Sequence, residues 1–244
     1  MDTPRIASRM EWLTARKELL AKEKRFTRER DRLSAERRQL PMVALDKEYH
    51  LQSADGPRTL NQLFEDRHQL IVYHFMFSPD MEEGCKSCSF FADNFVGTPT
   101  HLAARDTSFA VVSRAPIAKI ELFKQRMGWT FPWYSSEGSD FNYDFHVTLD
   151  PSAGSVEYNY ENGDALREAG KIWMDELPGL SVFLKLGNQV FHTYSTYQRG
   201  LDILMGTYNY LDLTPLGRQE DGLPFSMAWV RHHDRYDAKE SAIS

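Results

Sequence analysis

Two cysteines are all that 244 residues contain. That excludes a disulfide-stapled scaffold, and with no second cysteine pair it excludes a closed four-cysteine zinc site. No apolar run approaches the ~20 residues of a membrane-spanning helix. The opening Met1-Asp2-Thr3-Pro4-Arg5-Ile6-Ala7-Ser8-Arg9 has no apolar signal core. The expectation is therefore a cytoplasmic protein with no membrane partner. A Gly-rich phosphate loop and a Gly-x-Ser-x-Gly elbow are both missing, which removes the nucleotide-binding and serine-hydrolase signatures. Positive charge is scarce beyond the first 40 residues. Residues 1–40 hold 12 Lys/Arg against 7 Asp/Glu, a net +5, and the remaining 204 hold 17 against 28, a net −11. An acidic body of that kind argues against nucleic acid as a partner.

What is present centres on the two cysteines themselves, Cys85-Lys86-Ser87-Cys88. The apolar, β-rich run 69–77 before them reads as a buried strand. Ser89 to Phe95 after them reads as the first turns of a helix. Strand, short loop, C-x-x-C and helix is the setting in which this spacing carries dithiol chemistry. A cysteine at a helix start meets unpaired backbone N–H groups and the positive end of the helix dipole, and both favour thiolate. Lys86 pushes the same way, whereas Asp80, Glu82 and Glu83 oppose it if they lie close. Cys85, nearer the loop, is the expected attacking thiol, and Cys88, one turn inside, the resolving thiol. Two other readings compete. Cys85 and Cys88 could join His192 in a copper or zinc site, with His74 on another strand nearby. They could also be redox-inert core residues of an interaction protein. The first reading needs no cofactor.

Residues 8–39 predict one long helix, uninterrupted by Gly or Pro. Trp12, Leu19, Phe26, Leu33 and Leu40 recur every seven residues, but the second heptad position holds Ala15, Lys22, Glu29 and Glu36, which argues against a true coiled coil. The narrow stripe is expected to pack on the main domain or on a second copy of the chain, making a homo-oligomer through this helix. Pro41 ends it. The domain reading is an N-terminal helical extension over 1–40 and one domain over 41–244.

Within that domain, short strands flank Asp46-Lys47-Glu48, and Thr59 is a candidate cap for a short helix. Thr98 is read as an N-cap with Pro99 at the first helical position. Ser108–Val112 predicts a second buried strand, and Ile117, Ile120, Phe123 and Met127 predict a helix. Residues 135–177 hold ten acids and two bases, with aromatics from Phe141 to Trp173 interleaved. They read as an insertion with its own packing in preference to a lid. Ser181–Leu186, Gly187-Asn188 and Gln189–Tyr194 form a hairpin pattern, followed by a helix from about Gly200 to Tyr208. His232-His233 in the tail are read as solvated. The sum is an α/β protein with a central mixed sheet flanked by helices, in enlarged thioredoxin topology, with a long N-terminal helix.

Several segments carry a further resemblance: Phe75-Met76-Phe77, Cys85 to Phe90, Val190 to Tyr197, Arg199-Gly200-Leu201-Asp202 and Leu211 to Pro215. They resemble a bacterial thioredoxin-like family labelled domain of unknown function 899, or predicted dithiol-disulfide oxidoreductase. The resemblance implies a thioredoxin-like fold and dithiol activity but supplies no substrate; the expected partner, a protein or small-molecule thiol or disulfide, follows from the dithiol chemistry itself. Two departures accompany it. Thioredoxins place a cis-proline directly before the strand that faces the dithiol, whereas here Pro178 precedes the expected strand start, Ser181, by three residues. The peroxiredoxin pattern Pro-x-x-x-Thr-x-x-Cys fits neither cysteine, since its proline and threonine positions fall on Ser78 and Glu82, or on Met81 and Cys85.

Overall fold

The computed structural model describes residues 4–154, 156–172 and 174–236, so Trp173 lies outside the described residues. The chain opens with helix α1, Arg9–Arg37. Ser8 caps it: the Glu11 backbone N–H donates to the Ser8 hydroxyl, while the Glu11 carboxylate accepts from the Ser8 N–H at 2.8 Å. This reciprocal pair satisfies two orphan donors. None of its residues is buried. The stripe therefore does not pack on this chain's own main domain.

The main domain is an eight-stranded sheet. Its strands are β1 (Val43–Ala44), β2 (His50–Ser53), β3 (Gly56–Thr59), β4 (Gln69–His74), β5 (Thr107–Ser113), β6 (Trp133–Ser135), and, after a separate two-stranded ribbon of β7 (Glu157–Tyr158) and β8 (Glu161–Asn162), β9 (Gly179–Leu186) and β10 (Gln189–Tyr197). The order across the sheet is β1-β10-β9-β4-β5-β6-β2-β3. β4 pairs parallel with β5, and β5 parallel with β6, whereas β4 and β9 run antiparallel, as do β9 and β10. Helix α2 (Lys86–Ala92) follows β4, α3 (Thr98–Ala103) precedes β5, and α4 (Ile117–Arg126) joins β5 to β6. A central strand leading into the dithiol helix, flanked by a parallel crossover strand and an antiparallel hairpin, is the thioredoxin-like arrangement, and the fold is of that class.

Alternation along β4 decides which groups can meet. Leu70 and Val72 belong to one core with Phe141, Phe145 and Phe183, while Tyr73 belongs to the other, with Phe91 and Cys88. Successive side chains point to opposite faces. Odd and even residues of this strand thus build two separate cores, one on each side of the sheet.

Several boundaries differ from the sequence reading. Strand β4 stops at His74, not at residue 77, yet Phe75 N–H still bonds the Val112 carbonyl at 2.9 Å. Gly97, at φ 77°, stands at the cap of α3, and Thr98 is its first residue. A left-handed residue favours glycine, and the threonine cap signal is overridden by it. Strand β9 begins two residues earlier than expected, at Gly179, so Pro178 directly precedes the strand beside β4, although among the described residues no peptide bond is cis. Thr59 closes β3 and also accepts from the Gln62 N–H, opening a single 3₁₀ turn, Asn61–Phe64. The helix expected from Gly200 to Tyr208 is a 3₁₀ turn, Gln198–Leu204, then α7 (Gly206–Leu211). Between β6 and β9 lie α5 (Phe141–Asp144) and α6 (Gly163–Glu168), and Val147, Leu149, Tyr158, Leu166, Ile172 and Leu177 form a small core with Tyr197.

Candidate functional site: a dithiol at the start of a helix

Cys85 occupies the N-cap position of α2, with extended ψ of 130°. Its own N–H bonds the Met76 carbonyl at 3.0 Å, which ties the loop back to the end of β4. Its carbonyl accepts from both the Ser89 N–H at 2.8 Å and the Ser89 hydroxyl at 2.9 Å. The peptide is fixed on both sides, so the side chain is presented at the helix mouth. Both thiols are free: Cys85 is half-buried and Cys88 is buried.

The two sulfurs are inequivalent. The Cys88 thiol donates a hydrogen bond to the Cys85 sulfur, and this is the largest influence on Cys85. Burial pushes the other way, but the backbone N–H groups of Cys88 and Ser87 and the Ser87 hydroxyl also favour the thiolate, and Cys85 falls to about 6. These are the orphan donors of a helix start turned toward a sulfur. Cys88 moves oppositely: burial, then its bond to Cys85 and the negative charge there, hold it well above the ordinary thiol range. Two groups relieve this in part, the hydroxyl of fully buried Tyr73 and the Met76 N–H, whose nitrogen is 3.5 Å from Cys88 Sγ. Tyr73 on the strand thus reaches the inner thiol, a contact that alternation along 69–77 could have revealed once the dithiol face was known.

Of the acids before Cys85, Glu83 is paired with two arginines. Burial disfavours the charged Glu83 carboxylate, but hydrogen bonds from Arg126 and Arg235 outweigh it and hold Glu83 below its ordinary range. Both contacts are 2.8 Å. Arg126 continues to Asp234, with Nε 2.8 Å from Oδ2. His232, read from sequence as solvated, is buried instead: Nε2 donates to the Gly84 carbonyl at 2.8 Å. Its neighbour His233 is partnered with Asp93 at 2.7 Å, and Trp129 Nε1 donates to the same carboxylate. Trp229 packs edge-on against Phe90 of α2. The C-terminal segment therefore straps the cysteine loop and its helix to α4. Gly84 is required within it, because a Cβ there would stand 2.6 Å from Phe123 Cε1 and 2.7 Å from Phe75 Cε1.

His192 does not reach the thiols. It sits on the opposite face of the sheet, its ring 5.3 Å from Phe145 and 5.6 Å from Phe183. Its Nε2 is 2.8 Å from Ser195 Oγ, which is 2.8 Å from Ser181 Oγ, which is 2.8 Å from His74 Nε2. Burial drives His74 down to about 3, with His192 adding to the effect. The two histidines end a polar chain inside the second core. Among the described residues no group of three His, Cys, Asp or Glu is placed to hold a metal ion. The site of Cys85, Cys88 and His192 fails on β-strand alternation: the cysteines and the histidine are separated by the sheet.

The chain matches the model of a family described as bacterial protein of unknown function (DUF899) over residues 1–236. It belongs to this family. No match is found among curated proteins. Solved structures with a similar arrangement include the peroxidoxin BcpB from Mycobacterium tuberculosis, at 13% identity and TM-score 0.44, covering 70% of this chain and 96% of that one. A PrxQ mutant from Xylella fastidiosa gives 10% identity and TM-score 0.43 with the same coverage. A putative protein disulfide isomerase from Bacteroides thetaiotaomicron gives 14% identity and TM-score 0.39, covering 70% of this chain and 89% of that one.

Proposed function

We propose that this DUF899 member is a thiol-disulfide oxidoreductase whose Cys85 attacks and whose Cys88 resolves. The observation that carries the reading is the asymmetry at the start of α2: a half-buried sulfur lowered to about 6 by four donors, beside a buried thiol held high. At neutral pH the outer sulfur is mostly thiolate, the nucleophilic form. Its S⁻ attacks one sulfur of a substrate disulfide, the S–S bond breaks, and the departing sulfur leaves as thiolate and takes up a proton. Cys88 then loses its proton and attacks Cys85 Sγ. The mixed disulfide breaks, the second substrate thiol leaves, and two electrons have passed to the substrate while Cys85–Cys88 becomes the disulfide. The same steps in reverse oxidise a dithiol substrate.

The Cys88 proton is the one that must be removed for resolution. Formation of the mixed disulfide at Cys85 removes the negative charge that holds the Cys88 thiol up, so the inner thiol becomes more acidic when it is needed. Tyr73 and the Met76 N–H stabilise the resulting thiolate.

The test is trapping. Cys88→Ser leaves the attacking thiolate without a resolving partner, so mixed disulfides with substrates accumulate on non-reducing gels of cell extracts and disappear with dithiothreitol. Cys85→Ser forms none. Trapping by Cys85→Ser and not by Cys88→Ser would reverse the roles.

A further inference from the structure

Helix α1 is 29 residues long and buries none of them. Along one side it exposes Trp12, Leu19, Phe26 and Leu33, between 47% and 69% accessible. Near its end Arg37 stacks on Tyr194 of β10, 4.9 Å from the ring centroid. A seven-residue apolar repeat on a free helix matches a second helix laid along it. The charges beside the stripe decide which helix and in which direction.

Writing Trp12, Leu19, Phe26 and Leu33 as the first heptad position, one flank carries Glu11, Glu18, Arg25 and Arg32, and the other carries Arg9, Arg16, Glu23, Arg30 and Arg37. In a parallel pair, each residue of the first flank faces the residue five further on in the second copy. That sets Glu18 against Glu23, Arg25 against Arg30 and Arg32 against Arg37, and only Glu11 against Arg16 is favourable. In an antiparallel pair, like flanks face each other. A single register then places Glu11 opposite Arg32, Glu18 opposite Arg25 and Arg16 opposite Glu23, each twice by the two-fold symmetry. The same register sets Phe26 against Ala15, a large side chain against a small one. Among the flanking charges only Arg9 opposite Arg30, at the outer ends, is unfavourable, while in the seam Trp12 and Leu19 meet the stems of Glu29 and Lys22. A shift of one heptad either way brings Glu18 onto Glu18, or Arg25 onto Arg25.

We propose that α1 is a self-complementary dimerisation element, with the α1 helices of two copies of this chain pairing antiparallel in the Glu18-to-Arg25 register. An isologous two-fold contact of this kind uses one patch twice and closes on itself. The polar second heptad position, with Lys22 and Glu29, leaves only a thin apolar seam, so partner choice and direction fall to the flanking charges. The dithiol plays no part in the contact, and the pairing stands whether or not the redox reading holds.

Light scattering coupled to size-exclusion chromatography tests it with the full chain. The expected mass is twice 28.3 kDa. Glu18→Arg sets two arginines against each other at both ends of the two-fold and should give the single-chain mass, with an unchanged circular dichroism spectrum because position 18 is exposed. Glu18→Arg with Arg25→Glu swaps the signs and should restore the doubled mass. A parallel pair would respond oppositely, since Glu18→Arg would there gain Glu23 as partner. A wild-type chain of single mass, a dimer indifferent to Glu18→Arg, a double variant that stays monomeric, or a monomer that binds vesicles of phosphatidylserine through α1 would each overturn the proposal.

Discussion

At Cys85 the deciding quantity is which donors point at its sulfur. The thiol of Cys88 and two backbone N–H groups outweigh the cost of burial and bring it to about 6. Because the thiolate is the reactive form, alkylation of Cys85 by iodoacetamide should rise through a midpoint near pH 6 and level off above it. Cys88 should stay unmodified until the fold is opened. Residue-resolved mass spectrometry checks both statements, and a common midpoint near the ordinary thiol value of about 8.5 would contradict them. His74 makes a second residue-level prediction. Its folded value, about 3, lies below the ordinary 6.5 because burial disfavours the charged form. The unfolded chain therefore binds the extra proton first. The stability His74 contributes is fully present above pH 6.5 and is lost as pH falls toward 3. Urea titrations should give an unfolding free energy that declines over that interval, and His74→Phe should flatten the decline. A slope unchanged by the substitution would assign the acid sensitivity elsewhere.

Elements were legible from sequence where a local signal and the tertiary environment agree. The strand into the dithiol, the helix after it, and the hairpin of β9 and β10 combine apolar pattern with turn residues, and each is found close to where it was expected. The start of β9 lies two residues before the expected Ser181, since the buried pair Gly179-Leu180 gives no strand pattern of its own. The two faces of β4 were the larger omission. A fully apolar run announces burial but not which neighbour each side takes, and only the tertiary arrangement puts His74 with Ser181 of β9 and Tyr73 with Cys88 of α2. The strap formed by residues 229–236 was hidden for another reason. A tail without helical or strand periodicity reads as surface, whereas here long-range ion pairs anchor it, and His232 is buried against Phe123 with its Nε2 on the Gly84 carbonyl, more than a hundred residues away. Arg126 is the hinge of that network, bonding both Glu83 and Asp234. Arg126→Ala should leave Glu83, two residues before Cys85, less compensated and loosen the strap. The alkylation midpoint of Cys85 should move upward, and amide exchange across residues 229–236 should accelerate. A midpoint and exchange pattern like those of the parent chain would show that the strap is held by packing of Val230 and Trp229 alone.

For the molecule as a whole, the sheet is a partition. On one side lie the thiols, Tyr73 and an aromatic core, and on the other the polar chain from His74 to His192. The acidic body and the basic helix divide the charge just as sharply, and the free stripe on that helix directs attention to a second copy of the chain. Reversible passage between dithiol and disulfide is the claim on which the functional account depends. It is tested most directly by intact mass after mild oxidation with oxidised glutathione, followed by alkylation under denaturing conditions. The account predicts a loss of about two hydrogens with both thiols blocked, fully reversed by dithiothreitol. Two thiols that remain alkylatable, or a glutathione adduct on Cys85 that Cys88 never displaces, would contradict it.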